Sequence, residues 1–226
     1  MKKLPAVILC AISFAFVEAA VVEYLRAVYY PLDKGGFQFP ILTLEQITAL
    51  GNEHWVRLFI ELGRELCTLI MLMTMGIMAG RNRREAWAHF VVAFGVWDIS
   101  FYLWLKLFLN WPPGLMTWDL LFLIPVPWVG PVLAPVMVSS TMVFAGVVVL
   151  HRESKGKPVT ARWTDWTFLI MGGSIVIISF CWDYENIMNG GLPNPFQWPL
   201  FFVGLAIGCG ALVAAVRRRN SQKTCA

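Results

Sequence analysis

Several continuous apolar runs of about twenty residues divide this sequence, with short polar segments between them. A helical run of about 20 residues crosses the roughly 30 Å hydrocarbon core of a bilayer. The runs do not alternate between apolar and polar residues, as the strands of a membrane barrel do. Charged residues make up 14% of the chain, below the roughly 25% typical of soluble domains. The sequence therefore predicts an all-α fold, a polytopic integral membrane helix bundle.

We predict six transmembrane helices in a single transmembrane domain that covers residues 1–226. Their predicted positions are about residues 4–27, 53–79, 86–109, 131–150, 163–182 and 196–216. In the sixth, Gly204 and Gly208 have the spacing of a close helix–helix contact.

Two segments between the predicted helices have patterns of their own. Residues 115–135 contain four prolines, which disfavour a continuous helix, so we expect a re-entrant or interfacial segment before the fourth helix. Pro131 suits the first turn of that helix. In the first loop, a capping-box pattern predicts a short interfacial helix over residues 43–50.

The positive charges predict the orientation. They are concentrated near both termini, at residues 81–84 and at residues 152–162, which all fall on one side of a six-helix topology. Loops rich in Lys and Arg face the cytoplasm. We therefore expect a multi-pass protein of the plasma membrane, of the bacterial inner-membrane type, with both termini in the cytoplasm. Short basic clusters between apolar runs do not indicate nucleic-acid binding.

Ionisable residues within the predicted helices are the main functional signal, because charges inside a bilayer are costly and usually face a protein interior. Counting about 1.5 Å per residue from the cytoplasmic boundary places Glu18, Glu65 and Asp98 at nearly the same depth, roughly 18–21 Å. Arg64 lies at a similar depth, whereas Glu61 and Tyr102 lie slightly closer to the outer surface.

We therefore predict one polar site between the first three helices, open to the outer side and roofed by the proline-rich segment and the loop helix. The predicted ligand-binding residues are Glu18, Glu61, Arg64, Glu65, Asp98 and Tyr102. Among them, Glu18, Glu65, Asp98 and Tyr102 are also candidate catalytic residues. Four other charged side chains near the outer ends of the helices are interpreted as headgroup anchors: Glu23, Arg26, Arg57 and Lys106. Helices four to six have no ionisable residue in their cores, and we expect them to be scaffold.

Three functions fit these residues. The first is binding or transport of a small polar or cationic ligand or of protons. The second is an intramembrane enzyme that uses paired carboxylates on a lipid or isoprenoid substrate. The third is a non-catalytic subunit of an oligomer or membrane complex. Nucleotide-binding, hydrolase and metalloprotease motifs are absent from the sequence, as is the histidine spacing of a di-iron site. The sequence indicates no metal site, specifies no cofactor, and predicts the lipid bilayer as a partner.

Overall fold

The computed structural model describes residues 1–29 and 52–221, which are mostly helical. The predicted loop helix over residues 43–50 lies outside the described residues. In chain order the described elements are α1 (Leu4–Tyr29), α2 (Asn52–Ala79), α3 (Arg83–Leu109), β1 (Trp118–Phe122), β2 (Trp128–Pro131), α4 (Leu133–Ser154), α5 (Trp163–Cys181), α6 (Tyr184–Met188) and α7 (Trp198–Ser221).

Six of these helices, α1 to α5 and α7, are long and apolar enough to cross a bilayer. This confirms the prediction of six such helices, with small differences at their ends. For example, α3 begins at Arg83 rather than near residue 86. The reason is the Asn82 side chain, which accepts a 3.0 Å hydrogen bond from the Glu85 backbone N–H and caps the first turn. The helix ends where predicted, because Asn110 takes a left-handed conformation.

A two-stranded β-hairpin precedes α4 and was not predicted. Strands β1 and β2 pair antiparallel, with Asp119 opposite Gly130 and Leu120 opposite Val129. Gly130 lies against an aromatic ring of α5: a Cβ added there would come within 2.9 Å of the Phe180 ring. The all-α prediction is therefore wrong for this segment. Its position relative to a membrane stays a prediction.

The prolines account for this local structure. Pro125 and Pro127 lie in the connection between the two strands, where the missing N–H groups remove no hydrogen bond from the strand ladder. Pro131 is the last residue of β2, so the prediction that it begins the fourth helix is wrong; that helix begins at Leu133.

Helix α3 lies at the centre of one group of helices, because it packs extensively against α1, α2 and α4. Small buried residues, Ala11 and Ala15, give α1 a narrow face in the core. Where α3 packs against α4, a Cβ added to Gly95 would come within 2.5 Å of the Ser139 backbone oxygen. This close approach of α3 and α4 brings polar side chains of both helices together.

Helices α5 and α7 form a second packed pair. The backbone of Gly172 in α5 lies against Gly204 and Gly208 of α7, and a Cβ at Gly172 would come within 2.7 Å of backbone atoms of both. The spacing of the two glycines in α7 thus corresponds to a real helix contact. Strand β2 contacts both α4 and α5, so the hairpin connects the two groups of helices.

Candidate functional site

A cavity of about 240 Å³ lies between the α3-centred helices and the hairpin. Its volume equals that of about eight water molecules in the liquid, at roughly 30 Å³ each. The structure places all six residues of the predicted site in its lining: Glu18, Glu61, Arg64, Glu65, Asp98 and Tyr102. Their juxtaposition is a structural fact, whereas their role in binding or catalysis stays a prediction.

On one side of the cavity, Arg64 connects two helices. Its guanidinium forms ion pairs with Glu18 of α1 and with Glu61 one turn earlier in α2. The Arg64 Nε donates to Glu61 Oε2 at 2.9 Å. The Thr68 hydroxyl donates a longer 3.4 Å hydrogen bond to Glu18. A guanidinium between two carboxylates offsets much of the cost of holding Glu18, which is 6% exposed, away from water.

Glu65 connects α2 to the hairpin. The backbone N–H of Leu123, just after β1, donates to both carboxylate oxygens of Glu65 at 3.0 Å. Glu65 is 5% exposed. A hydrogen bond from a neutral amide satisfies part of the carboxylate, and the opposite charge of the neighbouring Arg64 also interacts with it.

A second polar cluster lies where α3, α4 and β1 meet. The Ser139 hydroxyl of α4 donates to Asp98 Oδ2 of α3 at 2.7 Å. One turn further along α3, the Tyr102 hydroxyl donates to Asp119 Oδ2 of β1 at 3.1 Å. Asp98 and Asp119 are close enough for their charges to interact. This cluster contains two carboxylates, and none of the ion pairs among the described residues includes Asp98.

Aromatic side chains form much of the remaining wall. Those that line the cavity are Phe94, Trp97, Phe101, Tyr102, Phe122, Trp128 and Phe180. Trp97 is 6% exposed, and its indole N–H has no hydrogen-bond partner in the part of the chain that the structure describes. The same is true of the indole N–H of Trp128. A buried donor without a protein partner is uncommon, and such a donor is usually satisfied by a bound ligand or an ordered water.

Two of the charged residues that we interpreted as headgroup anchors, Glu23 and Lys106, are not among the described residues that line the cavity. The Lys106 ammonium donates to the backbone oxygens of Asn110 and Pro112, at 3.3 and 3.0 Å, and so stabilises the end of α3. Glu23 is half-buried and is not a lining residue. The side chains of Arg26 and Arg57 lie outside the described residues.

A separate group of charges lies at the other end of α3. Arg81 and Glu85 form an ion pair at 2.5 Å, and Arg84 pairs with Glu153 at the end of α4 at 2.7 Å. The hydrogen bond and charge of Glu85 raise the pKa of the Arg81 guanidinium. These contacts join neighbouring helix ends and lie outside the cavity lining.

The sequence analysis missed several residues of the site. Asp119 could have been noticed, because it is the only ionisable residue between Lys106 and His151. Ser139 had no comparable signal, since a serine in an apolar helix commonly bonds its own backbone. Ser139 of α4 and Phe180 of α5 line the cavity, so two helices beyond the first three contribute to it. That helices four to six are scaffold stays a prediction.

Within the described residues, no three His, Cys, Asp or Glu side chains are grouped closely enough to ligate one metal ion. The carboxylates therefore surround a space rather than converge on a point. No family model matches the chain, and no curated protein or solved structure matches it either. The chemistry of the cavity is thus the basis for any functional assignment.

Proposed function

We propose that this chain is a multi-pass integral membrane protein. Besides the length of its helices, large apolar side chains on their outer faces support this. On α2, Phe59, Ile60, Ile70 and Ile77 are each between 54% and 68% exposed. A contiguous apolar surface of this kind is unfavourable in water and is typical of a face in contact with lipid.

The orientation follows from the basic residues, which share one end of the helix bundle. Lys3 donates to the backbone oxygen of Met78 at the end of α2, at 2.9 Å. The Arg84–Glu153 ion pair joins the start of α3 to the end of α4. By the positive-inside rule, this end faces the cytoplasm, as in the inner membrane of a bacterial cell. Both termini then lie in the cytoplasm.

Within the membrane, the protein binds a small cationic ligand in the cavity, and carries it or a proton across the bilayer. The observation that supports this function is the charge balance of the lining. Five carboxylates line the cavity, namely Glu18, Glu61, Glu65, Asp98 and Asp119, while Arg64 is the one cationic side chain in the lining as described. At low dielectric, such an excess of carboxylates favours the uptake of protons or of a cation.

The test is ligand-dependent thermal stability of the purified protein in lipid nanodiscs. Sodium, potassium, tetramethylammonium and choline are added in turn as chlorides. A cation at 100 times its Kd stabilises the folded state by about 2.7 kcal/mol, which corresponds to a rise in Tm of roughly 5–11 °C for a chain of this length. We expect at least one of these cations to raise the Tm of the wild type.

Two substitutions test whether the cation-dependent rise in Tm comes from binding in the cavity. Asp98→Asn and Glu65→Gln are expected to remove it, because each takes one negative charge from the lining. Glu23→Gln is the matched control, since it neutralises a carboxylate of α1 outside the lining. If no cation raises the Tm, or if the rise is the same in all three variants, the proposed function is wrong.

One observation favours a second candidate, an intramembrane enzyme. Tyr102 and Asp119 form a hydrogen-bonded pair beside Asp98, which places proton donors and acceptors within one apolar cavity. A lipid or isoprenoid substrate would then be protonated or deprotonated there. Lipid extracts of cells that express the wild type should differ from those that express Asp119→Asn. Identical extracts would count against an enzyme.

A further inference from the structure

The two sides of the cavity differ in how their charges are compensated. Arg64 is already engaged by Glu18 and Glu61. Asp98, by contrast, accepts a hydrogen bond from the neutral Ser139 hydroxyl and belongs to none of the ion pairs among the described residues. A bound cation therefore gains most beside Asp98, where α3 and α4 meet.

The cavity wall near Asp98 is largely aromatic. Cations without a tightly bound hydration shell, such as organic ammonium groups, are attracted to the faces of Trp, Tyr and Phe rings. A metal ion would instead require several oxygen ligands converging on one point, and the described carboxylates are not grouped in that way. The combination of carboxylates and aromatic rings favours an organic ammonium ion.

The unpartnered indole N–H groups are an independent indication of a ligand. Trp97 lines the cavity while nine-tenths buried, and its N–H donor is unused among the described residues. Trp128 contributes a second such donor from β2. Neither N–H group can donate a hydrogen bond to an ammonium group, because an ammonium group has no acceptor atom. They would instead donate a hydrogen bond to an acceptor oxygen on the same ligand.

We propose that the ligand is a small aromatic or similarly apolar organic ammonium compound that also carries an acceptor oxygen. Its nitrogen lies near Asp98, its apolar body contacts the aromatic wall, and its oxygen accepts from Trp97 or Trp128. A cavity of about 240 Å³ is smaller than the roughly 300–1,000 Å³ pockets typical of drug-sized ligands, so the ligand is small. The inference rests on the proposed cation-binding function and adds the ligand's chemical class.

Three related probes separate these features. Phenacyltrimethylammonium carries the ring, the carbonyl and the ammonium. Phenethyltrimethylammonium replaces the carbonyl by a methylene group, and acetophenone lacks the ammonium. Their Kd values are measured by titration calorimetry on the full chain in nanodiscs. We expect phenacyltrimethylammonium to bind at least tenfold more tightly than acetophenone and than tetramethylammonium.

Single substitutions test which residue is responsible for each difference in affinity between the probes. Asp98→Asn should remove the preference for the charged probe over acetophenone, and Glu65→Gln, on another helix, should reduce it if the first variant does not fold. Trp97→Phe should weaken phenacyltrimethylammonium binding by roughly threefold to tenfold, the value of one hydrogen bond, and leave phenethyltrimethylammonium unchanged. Glu23→Gln should match the wild type for every probe.

The possible results separate the proposed ligand class from the proposed cation-binding function. If sodium or tetramethylammonium binds in a manner that depends on Asp98 while the aromatic ammonium probes do not bind, the ligand class is wrong and the cation-binding function stands. If acetophenone binds as tightly as the charged probe in the wild type, the ligand class is also wrong. If no cation of any kind binds, both proposals are wrong.

Discussion

Two adjacent glycines of α5 are predicted to respond to the same substitution in opposite ways. At Gly172, an added methyl group would lie 2.7 Å from backbone atoms of both Gly204 and Gly208. Backbone atoms cannot rotate away as a side chain can, so α5 and α7 would have to separate. At Gly173, no atom lies within 4 Å of the added methyl group. That position faces outward from the helix pair.

The expected magnitudes follow from this geometry. Overpacking of a close contact costs about 1–3 kcal/mol, so Gly172→Ala should lower the Tm by roughly 2–12 °C at this chain length. Gly173→Ala should raise the free energy of unfolding by up to about 1 kcal/mol, because alanine favours the helical backbone over glycine. Both are measured by thermal unfolding in nanodiscs of one lipid composition.

The α7 side of the contact provides a matched pair of controls. A Cβ at Gly204 would lie 2.8 Å from the Gly172 backbone oxygen, whereas a Cβ at Gly208 would meet nothing within 4 Å. Gly204→Ala should therefore destabilise the protein and Gly208→Ala should not, although the sequence motif treats both glycines alike. Equal losses of stability at Gly172 and Gly173, or at Gly204 and Gly208, would refute the reasoning.

Two further predictions concern charges and helix ends. Arg64→Gln should destabilise the protein by about 3 kcal/mol, because it leaves two carboxylates without their cation. Adding Glu18→Gln and Glu61→Gln to this variant should restore most of the lost stability. If thermal unfolding shows that the effects of these substitutions simply add, the ion-pair network is contradicted. Asn82→Ala should lower the free energy of unfolding by about 1 kcal/mol, because it removes the side-chain cap of α3. Asn82→Asp should retain the stability of the wild type in the same unfolding assay. Equal Tm values for the two variants would contradict the capping role.

The sequence indicated the site through an unusual property, the presence of carboxylates inside apolar helices. Because a helix rises by a constant amount per residue, depth along the chain was readable without a structure. Glu18, Glu65 and Asp98 were predicted at one level, and the structure brings all three to one cavity. Arg64 in contact with Glu18 shows that α1 and α2 have the expected relative height.

What the sequence could not indicate was how the helices face one another and what lies between them. Hydrophobicity along a membrane helix carries little information about its packing face, because lipid and protein interior are both apolar. The contacts of Ser139 with Asp98 and of the Leu123 amide with Glu65 join segments 41 and 58 residues apart. Such contacts depend on tertiary packing.

The amino-acid sequence by itself therefore determined the six long apolar helices found among the described residues, their approximate ends and the relative heights of the ionisable groups along them, since all three depend on local composition and on the fixed rise of a helix. The tertiary structure alone decided that residues 118–131 form a hairpin, that Asp119 and Ser139 join the site, and that two indole N–H groups remain without partners among the described residues. These features depend on which distant surfaces meet, and the packing of α3 against α4 at Gly95 is one such contact.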